Sequence, residues 1–379
     1  MMENGNVMRE DNELASSNVV SSKVDGSPYI NNEIAKNKDG YSQKDKLKEI
    51  TDKLEAGIKD IFESGQYLEY LKTMARFHHY SPGNVVLIHL QKPYATLCAG
   101  FKKWESMGRH VIKGRKGAKI IAPKPYKKTE LQEKIDPTTQ KPIIGENGKP
   151  LREYVTITVP AYGTETIFDI SDTEGAPLPE LTHTLMDDVK DFPMYMDALR
   201  DASPVPIVFS DIEGDSVKGY YHQMEKKIYL RDGMSELQKI KTGIHEIAHG
   251  KLHDKDMIDD KENFPDKRTR EVQAESIAYV VSTYYGLDTS DYSFGYIAGW
   301  SKDKELPELK ASLNVIRKTA AEIIDSIAKS LERMREQTLA SSKHSEVDTA
   351  DRVYDSYIPL PPTPIQTDTL PIKIHGRGH

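Results

Sequence analysis

Leu47, Ile50, Leu54, Ile58 and Ile61 recur at steps of three and four residues, which places them on one stripe of a helix that Gly65 ends. From Met1 to about Asp45 the chain is Asn, Ser, Lys, Asp and Glu with few apolar side chains, too few to offset the entropy of ordering a backbone, so disorder is expected there. A second helical stretch runs over Tyr67–Phe77. Ser81 and Pro82 then supply a capping residue and a proline at the first helical position, so Val85–Leu90 is expected to be helical until Pro93 stops it. Short segments separated by glycine follow at Ala95–Phe101, His110–Lys113, Ala118–Pro123, Tyr154–Pro160 and Thr166–Ile170, and they read as strands. Lys127–Arg152 is polar and broken by prolines and glycines, the pattern of an extended hairpin loop or insertion.

Ser171–Pro179 (SDTEGAPLP) has linker chemistry and marks a candidate boundary. Beyond it, strands are expected at Pro206–Phe209 and Lys226–Leu230, the latter forming a hairpin with Gly219-Tyr220-Tyr221. Helices are expected over Ser235–Leu252, Arg268–Tyr285 and Leu309 to about Arg335. From Glu336 the chain turns polar and then proline-rich. The layout is an α+β chain with a tail at 1–45, domains at 46–175 and 176–335, and a second disordered tail at 336–379.

Composition narrows the classes. The 379 residues exceed one ordinary domain, and 37 % hydrophobic against 29 % charged residues leaves part of the chain too polar to fold. There is no run of ~18 apolar residues and no charged-then-apolar leader at the amino terminus, so neither a membrane span nor classical export is expected. Cys98 is the single cysteine, which excludes an internal disulfide framework and a Cys-rich zinc module and suits a bacterial cytoplasm. The net charge of −7 argues against a general polyanion binder, but that average hides a local reversal.

The chemistry concentrates at His245-Glu246-Ile247-Ala248-His249. Four residues make about one helical turn, so two imidazoles on one face can grip a single ion, and Glu246 beside it can take a proton from a water whose acidity the ion raises. Catalytic zinc takes a third protein ligand and leaves a fourth position open. His253 would lie ~12 Å along the axis from His245, too far to share that ion. Glu271 and Glu275, one turn apart on the next helix, are the candidates: Glu271 as third ligand and Glu275 as outer acceptor for an imidazole, with the exchanged roles left open. Tyr220, Tyr221 and Tyr279 are candidate donors to a developing oxyanion, and the hairpin before the motif could hold an extended peptide by backbone pairing.

The local reversal lies between Cys98 and Lys128, where ten Lys or Arg face one acid, Glu105, for a local charge of +9. Phe101, Trp104 and Tyr126 are interleaved with them. This is the composition of a groove that neutralises phosphates while rings stack on unpaired bases, and Lys102, Lys103, Trp104, Arg109, Lys113, Arg115, Lys116 and Lys119 are its candidate DNA-binding residues.

On these residues the sequence resembles the ArdC-type antirestriction proteins, including LtrC-like proteins of conjugative elements. The likeness runs from about Lys46 to Arg335. It rests on Tyr80-Ser81 with Asn84, Ala99-Gly100-Phe101 with Trp104, Val111 to Gly117, Ile167-Phe168-Asp169-Ile170, Gly219-Tyr220-Tyr221, HEIAH, and Glu271 to Tyr279 leading into Gly286-Leu287-Asp288. The resemblance implies an N-terminal domain that binds single-stranded DNA and a C-terminal zincin-like, gluzincin-type metallopeptidase domain. Carried onto this chain, one Zn2+ is held by His245, His249 and Glu271, with Glu246 as catalytic base. The implied role is protection of incoming mobile-element DNA from restriction. Two alternatives stand beside it: a non-enzymatic single-strand binder with a structural metal, and a regulatory protease that degrades a repressor.

Overall fold

α1 (Gln43–Glu63) turns Ile50, Ile58, Ile61 and Phe62 inward along the expected stripe, and Gly65, with φ +79°, closes it. The structure, a computed structural model, describes residues 43–178, 192–214, 216–256, 264–292 and 294–346. α2 (Tyr67–Arg76) follows. α3 (Pro82–Gln91) begins as its sequence demands, with the Ser81 hydroxyl accepting the Asn84 N–H and Pro82 in the first turn, and it buries Val85, Val86, Leu87 and Ile88.

The strands that come next are short. β1 (Cys98–Gly100), β6 (Tyr162–Asp169) and β3 (Ala118–Pro123) form an antiparallel sheet in the order β1-β6-β3, with Ala99 opposite Phe168 and Pro123 opposite Tyr162. β2 (Arg109–Val111) pairs separately with β7 (Thr173–Gly175). Two expectations are corrected here. Phe101 opens a helix, α4 (Phe101–Ser106), instead of ending a strand, because Gly100 turns the chain and Trp104 drops into the core. Ser171–Gly175 is structured, since Asp169 caps the Ile170–Asp172 turn and β7 returns to β2, and the candidate linker is reduced to its last residues.

The described residues form two compact bodies. One is Tyr126–Ala161, a two-stranded ribbon of β4 (Tyr126–Glu133) and β5 (Arg152–Val159) in continuous antiparallel register from Tyr126 opposite Val159 to Glu133 opposite Arg152. β5 is the strand expected at Tyr154–Pro160, while of the expected hairpin loop Lys127–Arg152 residues 127–133 and 152 are strand and 134–151 connect them. The period of two in β4 is hidden because both faces are wet, as the exposed Leu131 illustrates.

The other body holds the remaining described residues. After α5 (Phe192–Ala202), a sheet in the order β8-β10-β9 pairs β8 (Ile207–Ser210) parallel to β10 (Lys227–Arg231) and β9 (Gly219–His222) antiparallel to it, leaving β9 at the edge. Ile228 and Leu230 are fully buried, as are Ile244, Ile247 and Ala248 of α6 (Glu236–Leu252) and Val272, Ala274, Ile277 and Ala278 of α7 (Lys267–Tyr284). α8 (Ile297–Ser301) and α9 (Leu306–Glu346) complete it. Residues 43–45 and 336–346, expected in the tails, are helical, because polarity alone does not oppose a helix where Glu, Gln, Ala and Lys replace glycine and proline. The rest of both tails lies outside the described residues.

The buried cluster draws on both expected domains. Tyr67 of α2 exchanges a 2.7 Å hydrogen bond with Ser276 of α7, and Lys310 of α9 pairs with Glu55 of α1 at 2.8 Å. Gly219 shows how tightly β9 is seated: a Cβ there would come within 2.8 Å of both the Thr242 methyl on α6 and the Tyr229 carbonyl oxygen.

Candidate functional site

Ser235 starts α6 by accepting the Gln238 N–H, and the helix then turns Ile244, Ile247 and Ala248 into the core. The four-residue spacing brings His245 and His249 together at a cleft of about 970 Å³ whose wall includes β9, α6, α7, Asp291 and Tyr292. The two Nε2 atoms lie 3.1 Å apart, and Glu271 Oε2, from α7, lies 3.6 Å from each. A tetrahedral ion with bonds of ~2.0–2.1 Å sets its ligand atoms ~3.3 Å apart, so a triangle of 3.1, 3.6 and 3.6 Å fits one ion with little adjustment. Two nitrogens and one carboxylate oxygen are a donor set for a divalent transition metal, with one position left over. The imidazoles of His245 and His249 beside it hold the Glu271 carboxyl far below the usual carboxylate range.

The imidazoles are oriented from behind. His249 Nδ1 lies 2.9 Å from His253 Nδ1, and His253 Nε2 lies 3.0 Å from Gln273 Oε1, whose amide nitrogen reaches Ser312. Gln273 Oε1 can only accept, so His253 carries its proton on Nε2 and accepts at Nδ1. His249 therefore donates from Nδ1 and keeps its Nε2 lone pair on the cleft side. Burial brings His253 down to about 4, so it is neutral in this chain of hydrogen bonds. The helical rise that excludes His253 from the ion is what seats it behind His249.

Glu246 is almost wholly buried and accepts the backbone N–H of Tyr221. Burial raises its carboxyl above the ordinary value, against the pull of both histidines, which suits a group that must take up and release a proton. Glu275 lines the same cleft; burial raises it too, and among the described residues it makes no hydrogen bond to either imidazole.

The three tyrosines separate. Tyr279 is packed edge-on between Tyr292 and Phe294 in the core, away from the cleft lining. The Tyr221 hydroxyl donates to Asp254 at 2.6 Å and is pushed up to about 12, first by burial and then by that carboxylate. Tyr220, part-exposed on the cleft wall and stacked on Tyr229, is the one whose hydroxyl faces no such commitment. Asp254 also takes the Lys226 ammonium at 2.6 Å, tying the β9–β10 turn to the end of α6. Sequence reasoning also missed Lys241, one turn before His245: it is buried, paired with Asp291, bonded to the Asp288 carbonyl at 3.0 Å and set 4.6 Å from the Tyr292 ring centre.

The candidate DNA-binding residues also divide. Lys102 and Lys103 on α4, Lys113, Arg115 and Lys116 in the turn before β3, and Lys119 on β3 are exposed. Phe101 is exposed beside them. Trp104 is fully buried and donates Nε1–H to the Phe168 carbonyl at 3.0 Å, so its ring cannot stack on a base without unfolding the site. Arg109 spends its guanidinium on Thr173 Oγ1, the Thr173 carbonyl and the Ala176 carbonyl, and fastens β2 to β7.

Residues 42–159 match the family model of the N-terminal domain of anti-restriction factor ArdC, and residues 200–322 match that of the IrrE N-terminal-like domain, Peptidase_M78. An uncharacterized protein of Bacillus anthracis, pXO2-81, is 31 % identical over 333 residues, covering 79 % of this chain and 55 % of its own length. The chain thus spans about half the length of that relative. Similar solved structures include the antirestriction ArdC protein from plasmid R388 in a metal-free form, with TM-score 0.39 and 20 % identity over 67 % of this chain and 86 % of that one. Its Mn(II)-bound form gives TM-score 0.38 and 19 % identity over 67 % and 84 %.

Proposed function

From an ArdC-type chain, with an ArdC N-terminal domain ahead of an IrrE N-terminal-like domain, we propose an antirestriction protein of a mobile element in a bacterial cytoplasm that binds single-stranded DNA through residues 46–175 and hydrolyses peptide bonds through a zinc site in residues 176–335. The observation that carries the peptidase reading is the convergence of His245, His249 and Glu271 within 3.6 Å contacts beside a buried Glu246.

A zinc ion in that donor set would supply Lewis acidity, polarising a carbonyl and lowering the pKa of water. The chain's own residues do the rest. β9, at the edge of its sheet among the described residues and lining the cleft, pairs with an extended peptide and sets the scissile bond over the histidines. Glu246, held by the Tyr221 N–H, takes the proton of the attacking water and hands it to the leaving amine. Tyr220 is the tyrosine available to donate to the developing oxyanion. Glu275, raised first by burial, is drawn back toward its charged form by His245.

For the DNA reading, the support is the exposed Lys102, Lys103, Lys113, Arg115, Lys116 and Lys119 with Phe101 among them. Trp104 and Arg109 have structural duties and fall out of that set. The test of the whole is Glu246→Gln in a metal-loaded chain, assayed for hydrolysis of an unstructured protein and for protection of incoming DNA. Loss of hydrolysis with metal retained supports the peptidase; protection that survives the change assigns protection to DNA masking alone. No hydrolysis by the wild-type chain across denatured protein substrates would overturn the peptidase reading.

A further inference from the structure

A second group of metal-binding side chains lies away from the cleft. α2 ends at Arg76, and His78 and His79 occupy the turn that leads to the Ser81 cap of α3. Consecutive residues usually point apart, yet this turn brings the two rings to 4.0 Å between centroids at 45°. α9 brings Asp325 to the same place, with Oδ1 3.7 Å from His79 Nε2. One donor atom from each of the three residues lies within 4.8 Å of the other two.

In the buried member the backbone fixes which ring nitrogen carries the proton. His78 Nδ1 lies 3.0 Å from the Ala75 carbonyl oxygen, which can only accept, so Nδ1 carries the proton and the lone pair is on Nε2. A carbonyl accepting the far N–H is the usual outer support of a ligating imidazole. The ring is further fixed by the edge of Tyr284, 4.8 Å away at 81°, and the His78 carbonyl accepts from Arg317 at 3.4 Å. His79 and Asp325 are exposed, so their side chains can close the remaining gap to the ~3.3 Å separation that a tetrahedral ion imposes.

We propose that His78, His79 and Asp325 form a second divalent-metal site, of the Zn2+, Co2+ or Ni2+ class, that pins the α2–α3 turn to α9. Two imidazoles and one carboxylate favour these ions over Ca2+ and Mg2+, which take oxygen sets. None of the three lines the cleft, so the ion's role is structural: it joins elements far apart in sequence at one point.

The experiment titrates chelator-stripped full-length protein with Zn2+ and Co2+, reading stoichiometry by elemental analysis and stability by thermal unfolding. The wild type is expected to bind two equivalents, the His245→Ala, His249→Ala variant one, and the His79→Ala, Asp325→Asn variant one. Combining all four changes should weaken the remaining uptake roughly 100-fold and abolish the metal-dependent rise in Tm. Both residues of the second pair are on the surface, so their variant is expected to keep the wild-type circular dichroism spectrum. A wild type that stops at one equivalent, which the His245→Ala, His249→Ala variant loses, overturns the proposal. So does uptake by the His245→Ala, His249→Ala protein that is indifferent to His79→Ala and Asp325→Asn, which would place the ion elsewhere in the chain.

Discussion

Nδ1 of His249 and Nδ1 of His253 lie 2.9 Å apart, and Gln273 on the neighbouring helix decides which of them donates. His253→Phe and Gln273→Leu should each lower metal affinity by ~10–100-fold while leaving the three ligand atoms in place. Competition against a chromophoric chelator measures this. Unchanged affinity in both variants would show that His249 needs no support from behind.

His249→Ala and Glu271→Ala should abolish stoichiometric metal binding by the cleft, whereas Glu246→Gln should retain it and cut peptide hydrolysis by at least ~10²-fold. Elemental analysis beside a fluorescent peptide assay separates the two effects. Metal retained at the cleft in Glu271→Ala, and absent in Glu275→Ala, would exchange the roles of those two carboxylates.

Asp254 yields a pH signature. Burial opposes its charge, but Lys226, Tyr221 and the Asp256 N–H outweigh that and bring it from its ordinary 3.8 down to about 2. The native state thus binds fewer protons than the unfolded chain in this interval, so its contribution is complete above pH ~4 and disappears as the pH falls toward 2. Asp254→Ala should cost about 1–3 kcal/mol at neutral pH and flatten the acid limb of the stability curve, followed by urea unfolding between pH 2 and 5.

In the basic segment, Lys113→Ala, Arg115→Ala and Lys116→Ala together should weaken single-strand binding and reduce the slope of log K against log salt by ~0.7 for each phosphate that is no longer neutralised. Trp104→Ala should act differently, destabilising the fold by ~3–5 kcal/mol because it empties a fully buried indole site. Fluorescence anisotropy over a salt series and thermal unfolding distinguish the two. Trp104→Ala protein that is as stable as wild type yet fails to bind DNA would return the indole to the binding face.

Helix positions with a clear apolar period, such as those of α1, α6 and α7, could be read from sequence because burial on one face forces the spacing. The grouping of His245, His249 and Glu271 was legible for the same reason: two of the three share a rigid face, and small residues at Ala274 and Ala278 let the second helix come close. What stayed hidden depends on neighbours remote in sequence. His253 could not be assigned without knowing that Gln273 would meet it. Trp104 and Arg109 have the composition of a nucleic-acid groove, and only the Phe168 and Thr173 carbonyls show where their donors go. α5 does carry its apolar residues on one side, at Tyr195, Met196, Leu199 and Ala202, but over only 11 residues with a proline at the second, whereas β4 lacked a one-sided pattern.

The ribbon also bears on how such a chain can change. β3 and β6 are already paired at Pro123 and Tyr162 before the backbone departs into it, so register is secured at its root and not at its tip. Length and sequence beyond that root are therefore open to replacement: a shorter turn or a foreign hairpin could be grafted there without disturbing a strand pairing inward of it. The ribbon is, in effect, an interchangeable attachment on a frame that need not be rebuilt.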